Sequence, residues 1–267
     1  MKISSLKQIH HLALSLAIGS VGFLGHSVLG QVGAANAATL ASASASAVLF
    51  DFSHQPLAGD AETFKDAFAT GLPGLVRADA IADAELFTKP AVTGRNIASS
   101  IASGNGNAPY QAAAESSASI TGFDFTVRAN ETFQFDWQAN LFVEAVSDQP
   151  SQEHSFAGGL FGLGIYIRDT NNNLQLVDTL SLLGNDDALG LTKFDLQQTQ
   201  GFTANQMAST SERLLQGRYA KTVAQATQFT VLELKQTKVA VAVPEPSMLI
   251  ALGIIGTLGL RLRQRQS

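Results

Sequence analysis

Histidine sets the tightest limit on the chemistry this chain can do. It has five, and His10, His11 and His26 fall in an N-terminal apolar region, which leaves His54 and His154 in the body. Neither has a second histidine at metal-ligand spacing, so a zinc site would need carboxylates brought from elsewhere. Each reads better as a surface-loop residue. A Ser-His-Asp arrangement would have to use one of the two, and no G-x-S-x-G turn is present. The chain has no cysteine, which excludes disulfides, thiolate metal sites, cysteine nucleophiles and CxxC redox chemistry. No catalytic residue and no cofactor is expected.

Oxygen ligands offer weaker candidates. Asp169, Asn171 and Asn173 copy the first half of a calcium loop, with acceptors at alternate positions. Leu174 stands where such a loop needs glycine, and Leu180 stands where it needs its bidentate glutamate. A plain hairpin turn is the better reading, and Asp186-Asp187 is a second candidate of the same kind. Among the carboxylates, Asp136 and Glu144 share one strand and are the pair to test for glycoside hydrolysis, which depends on their separation in space. Trp137 could stack on a sugar, but it shares a strand face with Phe133 and Phe135, which favours the core. The run Gly158 to Gly164, GGLFGLG, lacks a G-x-G-x-x-G order and a following helix. It suits close packing or a sheet bend rather than a nucleotide.

The elements that would position these residues are mostly strands. Phe123, Phe125 and Val127 share a face. After a turn at Asn130-Glu131, Phe133, Phe135, Trp137, Ala139, Leu141 and Val143 alternate with polar residues, broken by Phe142, so this strand is expected to kink or split near Ala139. Leu160–Arg168 and Leu174–Leu183 form a hairpin, followed by a turn at Asn185-Asp186-Asp187. Residues 202–216 fit a helix or a strand equally. Phe229–Val241 is a last strand whose alternation changes phase: the face of Phe229, Val231, Val239 and Val241 carries Glu233, Lys235 and Thr237 between them, while Leu232 and Leu234 lie on the other face. A bulge, or burial on both faces of its first half, would accommodate that. Val48–Ser53 is the first strand. Ala38–Ala47, ATLASASASA, is low in complexity and reads as a flexible spacer. Residues 60–90 read as short helices or loops, the first capped by Asp60, and 94–109 as a loop. The expected fold is mainly β: an antiparallel sandwich or jelly roll over 48–243 with a few short helices.

The two ends carry a different signal. Lys2 and Lys7 precede the apolar run Leu12–Leu24, and Ala35-Asn36-Ala37 supplies an A-x-A cleavage site, the order of a secretory signal over 1–37. At the other end Pro244-Glu245-Pro246 precedes an apolar helix expected over 247–260, with a basic end, 261–267, carrying Arg261, Arg263 and Arg265. The apolar stretch Met248–Leu260 would rise roughly 20 Å as a helix, against a hydrocarbon core of about 30 Å. The arginines mark the cytoplasmic side, as Lys2 and Lys7 do for the signal, so both ends place the body outside the cytoplasm. Without Lys2, Lys7, Arg261, Arg263, Arg265 and Glu245, the body holds 12 basic and 21 acidic residues, a net charge of −9. An acidic body argues against nucleic acid.

Residues 244–267 resemble the PEP-CTERM sorting signal of Gram-negative bacteria, including cyanobacteria. The resemblance covers about 25 residues of the chain. It rests on Val243-Pro244-Glu245-Pro246-Ser247, the glycine-bearing apolar helix and the arginine-rich end. It implies recognition by an exosortase, a membrane-embedded cysteine protease or transpeptidase, after passage through Sec-type export and signal peptidase. The protein would be held in the membrane by its C-terminal helix at least transiently. The expected function is structural or adhesive, in the periplasm, at the cell surface or in the extracellular polysaccharide matrix, without enzymatic activity. The alternative is an extracellular carbohydrate-binding or carbohydrate-active protein, with calcium at 169–173 as its candidate ion.

Overall fold

A computed structural model describes residues 38–243 apart from 58, 72–74, 88–92, 106–108, 149–152, 170–172, 188 and 190–191. The expected signal cleavage site at Ala35 and Ala37, the sorting motif Pro244, Glu245 and Pro246, the basic stop Arg261, Arg263 and Arg265, and Asn171 lie outside the described residues. Within them run β1 (Ala38–Phe50), β2 (Asp60–Thr70), β3 (Val76–Phe87), β4 (Thr93–Asn105), β5 (Tyr110–Val127) and β6 (Thr132–Ser147). There follow β7 (His154–Arg168), β8 (Leu174–Asp187), β9 (Lys193–Gln198), β10 (Phe202–Ala208), β11 (Glu212–Thr222) and β12 (Thr227–Val243). They form two antiparallel six-stranded sheets packed as a sandwich. Sheet A has the order β10-β11-β6-β1-β4-β3, and sheet B the order β2-β5-β12-β7-β8-β9.

The alternation seen in the sequence drives this arrangement. On β6 the odd residues Phe133 to Val143 are buried and the even ones face out, with Phe142 half-buried on the outer side. The strand does not split at Ala139: β1 and β11 pair with β6 through that point without a register shift. On β5 the inward set passes from Ser116, Ala118 and Ile120 to Phe123, Phe125 and Val127. The change of parity is a bulge: Val231 pairs with Phe123 and Glu233 with Ile120, so the extra residue sits in β5. The bulge lies in the neighbour of the last strand, and the other expectation for that strand holds: Phe229 to Glu233 are buried on both of its faces. β12 itself keeps one inward parity, from Phe229 and Val231 through Glu233, Lys235 and Thr237 to Val239 and Val241.

Four sequence readings are corrected. The stretch 38–47 is no spacer. It is most of β1, an interior strand of sheet A, whose Ala41, Ala43, Ala45 and Ala47 are buried while the intervening serines face outward. Residues 60–70 and 76–87 are strands β2 and β3 rather than short helices, and no helix occurs among the described residues. In β3 the alanines Ala78 to Ala84 alternate with Asp79, Ile81 and Asp83, and pairing with β4 outweighs the helix propensity of alanine and acid. Most of the stretch read as the 94–109 loop belongs to β4, which pairs with both β1 and β3. Asn185 to Asp187 end β8 rather than form a turn. The ambiguous 202–216 resolves into β10 and the start of β11. Edge strands β2 and β3 carry Asp60, Glu62, Lys65, Asp66, Asp79 and Asp83, charges that oppose edge-to-edge pairing.

Candidate functional site

A seam inside the sandwich and the outer face of sheet A each concentrate polar groups. The seam follows from β12, which keeps its parity and so must point Glu233, Lys235 and Thr237 at the facing sheet. Glu233 and Lys235 are both 0% exposed. Lys235 Nζ donates to Glu233 Oε1, and it lies over the Phe161 ring, 5.5 Å from its centroid. Burial pushes the Glu233 carboxyl above its ordinary range, against the pull of Lys235. Burial also pushes the Lys235 amine down, to about 8. Beside the pair, Thr237 Oγ1 meets Ser100 Oγ and Ser116 Oγ, each at 2.8 Å, and Ser116 Oγ donates to the Ser99 carbonyl at 3.1 Å. Ser100 belongs to sheet A and Thr237 to sheet B, so the sheets touch through one short side chain from each. Asn96, 2% exposed, donates from Nδ2 to the Ala118 carbonyl at 3.4 Å. Glu233 Oε2 and Asn96 Oδ1 are left without a hydrogen-bond partner.

The middle of the outer face of sheet A carries two uncharged rows, flanked by Arg95, Asp136 and Arg218. Register aligns Asn205, Gln216, Gln138 and Val48 in one row across β10, β11, β6 and β1, with Met207, Leu214, Asn140 and Ser46 in the next. Ser42, Ser44 and Ser46 form a low column on β1 between the longer side chains of β6 and β4. Two depressions share Gln138. One of about 300 Å³ is lined by Ser46, Val48, Arg95, Ile97 and Asn140, and one of about 360 Å³ by Phe50, Asp136, Asn205, Gln216 and Arg218. Amides and hydroxyls that both donate and accept suit a hydroxyl-rich ligand.

The residues singled out from the sequence are largely put to other uses. Trp137 is 1% exposed and packs among Phe161 and Phe202, with ring centroids at 6.2 and 6.4 Å, so it is core and not a sugar platform. Asp136 is held by Arg218 through bonds of 2.6 and 3.1 Å, and that pairing lowers its pKa. Glu144 lies eight residues along the same face of β6, about 27 Å away at the strand rise. Glycosidase carboxylates stand about 5 to 9.5 Å apart, so Asp136 and Glu144 are not such a pair. Asp169 accepts from Asn173 at both oxygens, 2.7 and 3.2 Å. Asp186 turns inward to accept the Ala145 amide of the other sheet at 2.8 Å. His154 is exposed at the start of β7. The glycines of β7 do serve close packing: a Cβ on Gly159 would stand 2.5 Å from Leu141 of the facing sheet.

One array escaped the sequence reading. His54, in the loop after β1, contacts Ser53 Oγ through Nδ1 at 2.8 Å and Glu131 through Nε2 at 3.3 Å. The order resembles a hydrolytic relay. The hydroxyl, however, also accepts the Gln134 amide at 3.0 Å, and neither depression touches it. It ties the loop to the start of β6. Glu131 lies 77 residues from His54, so no local motif could have announced the contact. Comparison with family models, curated proteins and solved structures finds no match for this chain.

Proposed function

We propose that this is an exported protein of the cell envelope or extracellular matrix, structural or adhesive and without enzymatic activity, sorted through its C-terminal tail by an exosortase-like enzyme. One observation supports the reading: Thr39 and Val243, next to the two expected cuts, lie on the interior strands β1 and β12 and at the same end of the sandwich. Thr39 Oγ1 and the Tyr110 hydroxyl are 2.6 Å apart, and Tyr110 pairs with Val243. A body attached at one end and projecting from it suits a protein delivered across a membrane and then released or displayed.

Intact-mass analysis of protein extracted from the cell surface tests this. The expected mature chain begins near Ala38 and has lost residues 248–260, and Pro244→Ala with Pro246→Ala keeps the tail on. A mature wild-type chain that retains 248–260 overturns the processing.

The outer face of sheet A favours a second reading, in which adhesion is to extracellular polysaccharide. Its uncharged amide rows would hold an extended glycan through many weak contacts. Loss of polysaccharide pull-down in Gln138→Ala with Gln216→Ala is the expected result; unchanged pull-down removes this face from consideration.

A further inference from the structure

The seam holds three groups with complementary reactivity, and two of them carry orphan atoms. Lys235 sits between Ala118 of β5 and Phe161 of β7 in the register of sheet B. Asn96, from the facing sheet, rests its side chain on the carbonyl of that same Ala118. Ala118 is thus a shared neighbour of Lys235 and Asn96, and the spacing of about 4.8 Å between paired strands lies within the span of a lysine side chain. A fully buried Lys–Glu pair is costly, and apolar residues of similar size usually replace one without loss of stability. The unpartnered Glu233 Oε2 and Asn96 Oδ1 add to that cost. A static packing role leaves all of this unexplained.

We propose that Lys235 and Asn96 join in an intramolecular isopeptide bond between the two sheets, with Glu233 as the proton relay. Nζ first gives a proton to Glu233 and becomes a neutral amine. Its lone pair attacks Asn96 Cγ, forming the new C–N bond. Glu233 returns its proton to Nδ2 and accepts the second proton of Nζ as the Cγ–Nδ2 bond breaks. Ammonia leaves, and Glu233 ends neutral. No oxidant or cofactor is consumed. The direction of both pKa shifts helps, because burial already brings amine and acid toward their neutral forms. The product removes both buried charges and covalently links β4 of sheet A to β12 of sheet B.

The test is mass spectrometry of the protein purified from its producing cell. The expected intact mass is lower by one ammonia than the mature sequence. Trypsin should then leave Lys235 uncut, and residues 96–128 and 222–238 should travel as one branched peptide. Asn96→Ala should restore cleavage at Lys235, and Glu233→Gln should return unlinked chain, each checked for a folded state by circular dichroism. Asn96→Asp should retain the link with loss of water instead of ammonia. Folded wild-type protein that is cut at Lys235 and yields residues 96–128 free, with Asn96 intact, overturns the proposal whatever the variants do. This outcome is independent of where the ends are processed.

Discussion

The two halves of the sandwich, divided by the seam, are stabilised by opposite means. On one side Phe123, Phe125, Phe133, Phe135, Trp137, Phe161, Tyr219 and Phe229 fill the space between the sheets. On the other, Ala41, Ala43, Ala102, Ala112, Ala114 and Ala157 do so, helped by Tyr110, Val143, Val239 and Val241. β1, β5, β6, β7 and β12 run through both halves, while β8, β10 and β11 add buried apolar residues to the first alone and β3 and β4 to the second alone. Rings supply stability through buried apolar area and edge or stacked contacts. Methyl groups supply little area, and an alanine half coheres by letting the sheets come close. There a Cβ on Gly104 would overlap the Tyr110 ring. One half should therefore be sensitive to removal of volume and the other to its addition.

The largest effect is expected from Phe133→Ala. Phe133 is fully buried, with the Phe125 and Phe229 rings at 4.8 and 4.9 Å. Its truncation should cost about 3 to 5 kcal/mol, read as a lower urea midpoint with an unchanged slope. A cost below about 1 kcal/mol would mean that the ring half is not the main source of stability. The reverse experiment belongs in the other half. Ala43 is 0% exposed on β1, and Ala43→Leu should cost about 1 to 3 kcal/mol by forcing the sheets apart. If the leucine is accommodated without loss in thermal or urea unfolding, the close approach of the sheets there is wrong.

This contrast also marks what was legible in the sequence. The ring half announced itself, because Phe and Val at period two are the ordinary signature of a half-buried strand. The alanine half did not. In β1 the Ala-Ser alternation carries the same period, but low complexity and small size disguised a central strand as a linker. In β3 the alternation of alanine with acid was hidden by residues that favour helices. The polar phase of β12 was visible as an anomaly at Glu233, Lys235 and Thr237. Its resolution needed Ser100, Ser116 and Asn96, which lie more than 100 residues earlier, so the seam could not be assembled from sequence spacing.

Each half also has a carboxylate on β8 that reaches across to sheet A: Asp186 to the Ala145 amide in the alanine half, and Asp178 in the ring half. Asp178 Oδ2 accepts from Lys221 Nζ at 2.7 Å and from the Tyr219 hydroxyl at 3.0 Å, while Oδ1 accepts from Thr199 at 2.9 Å. Burial alone would raise its pKa, but these three donors together hold it below the ordinary value. A carboxyl depressed in the folded state stabilises above its unfolded pKa of about 3.9, and that contribution disappears as pH falls through the folded value. Wild-type stability should therefore drop more than that of Asp178→Asn between pH 7 and strongly acid solution. The difference should be on the order of 1 kcal/mol, smaller than either core effect because Lys221 is partly exposed and screened. Parallel pH curves for the two proteins, measured by urea unfolding, would show that the clamp on the ring half is not electrostatic.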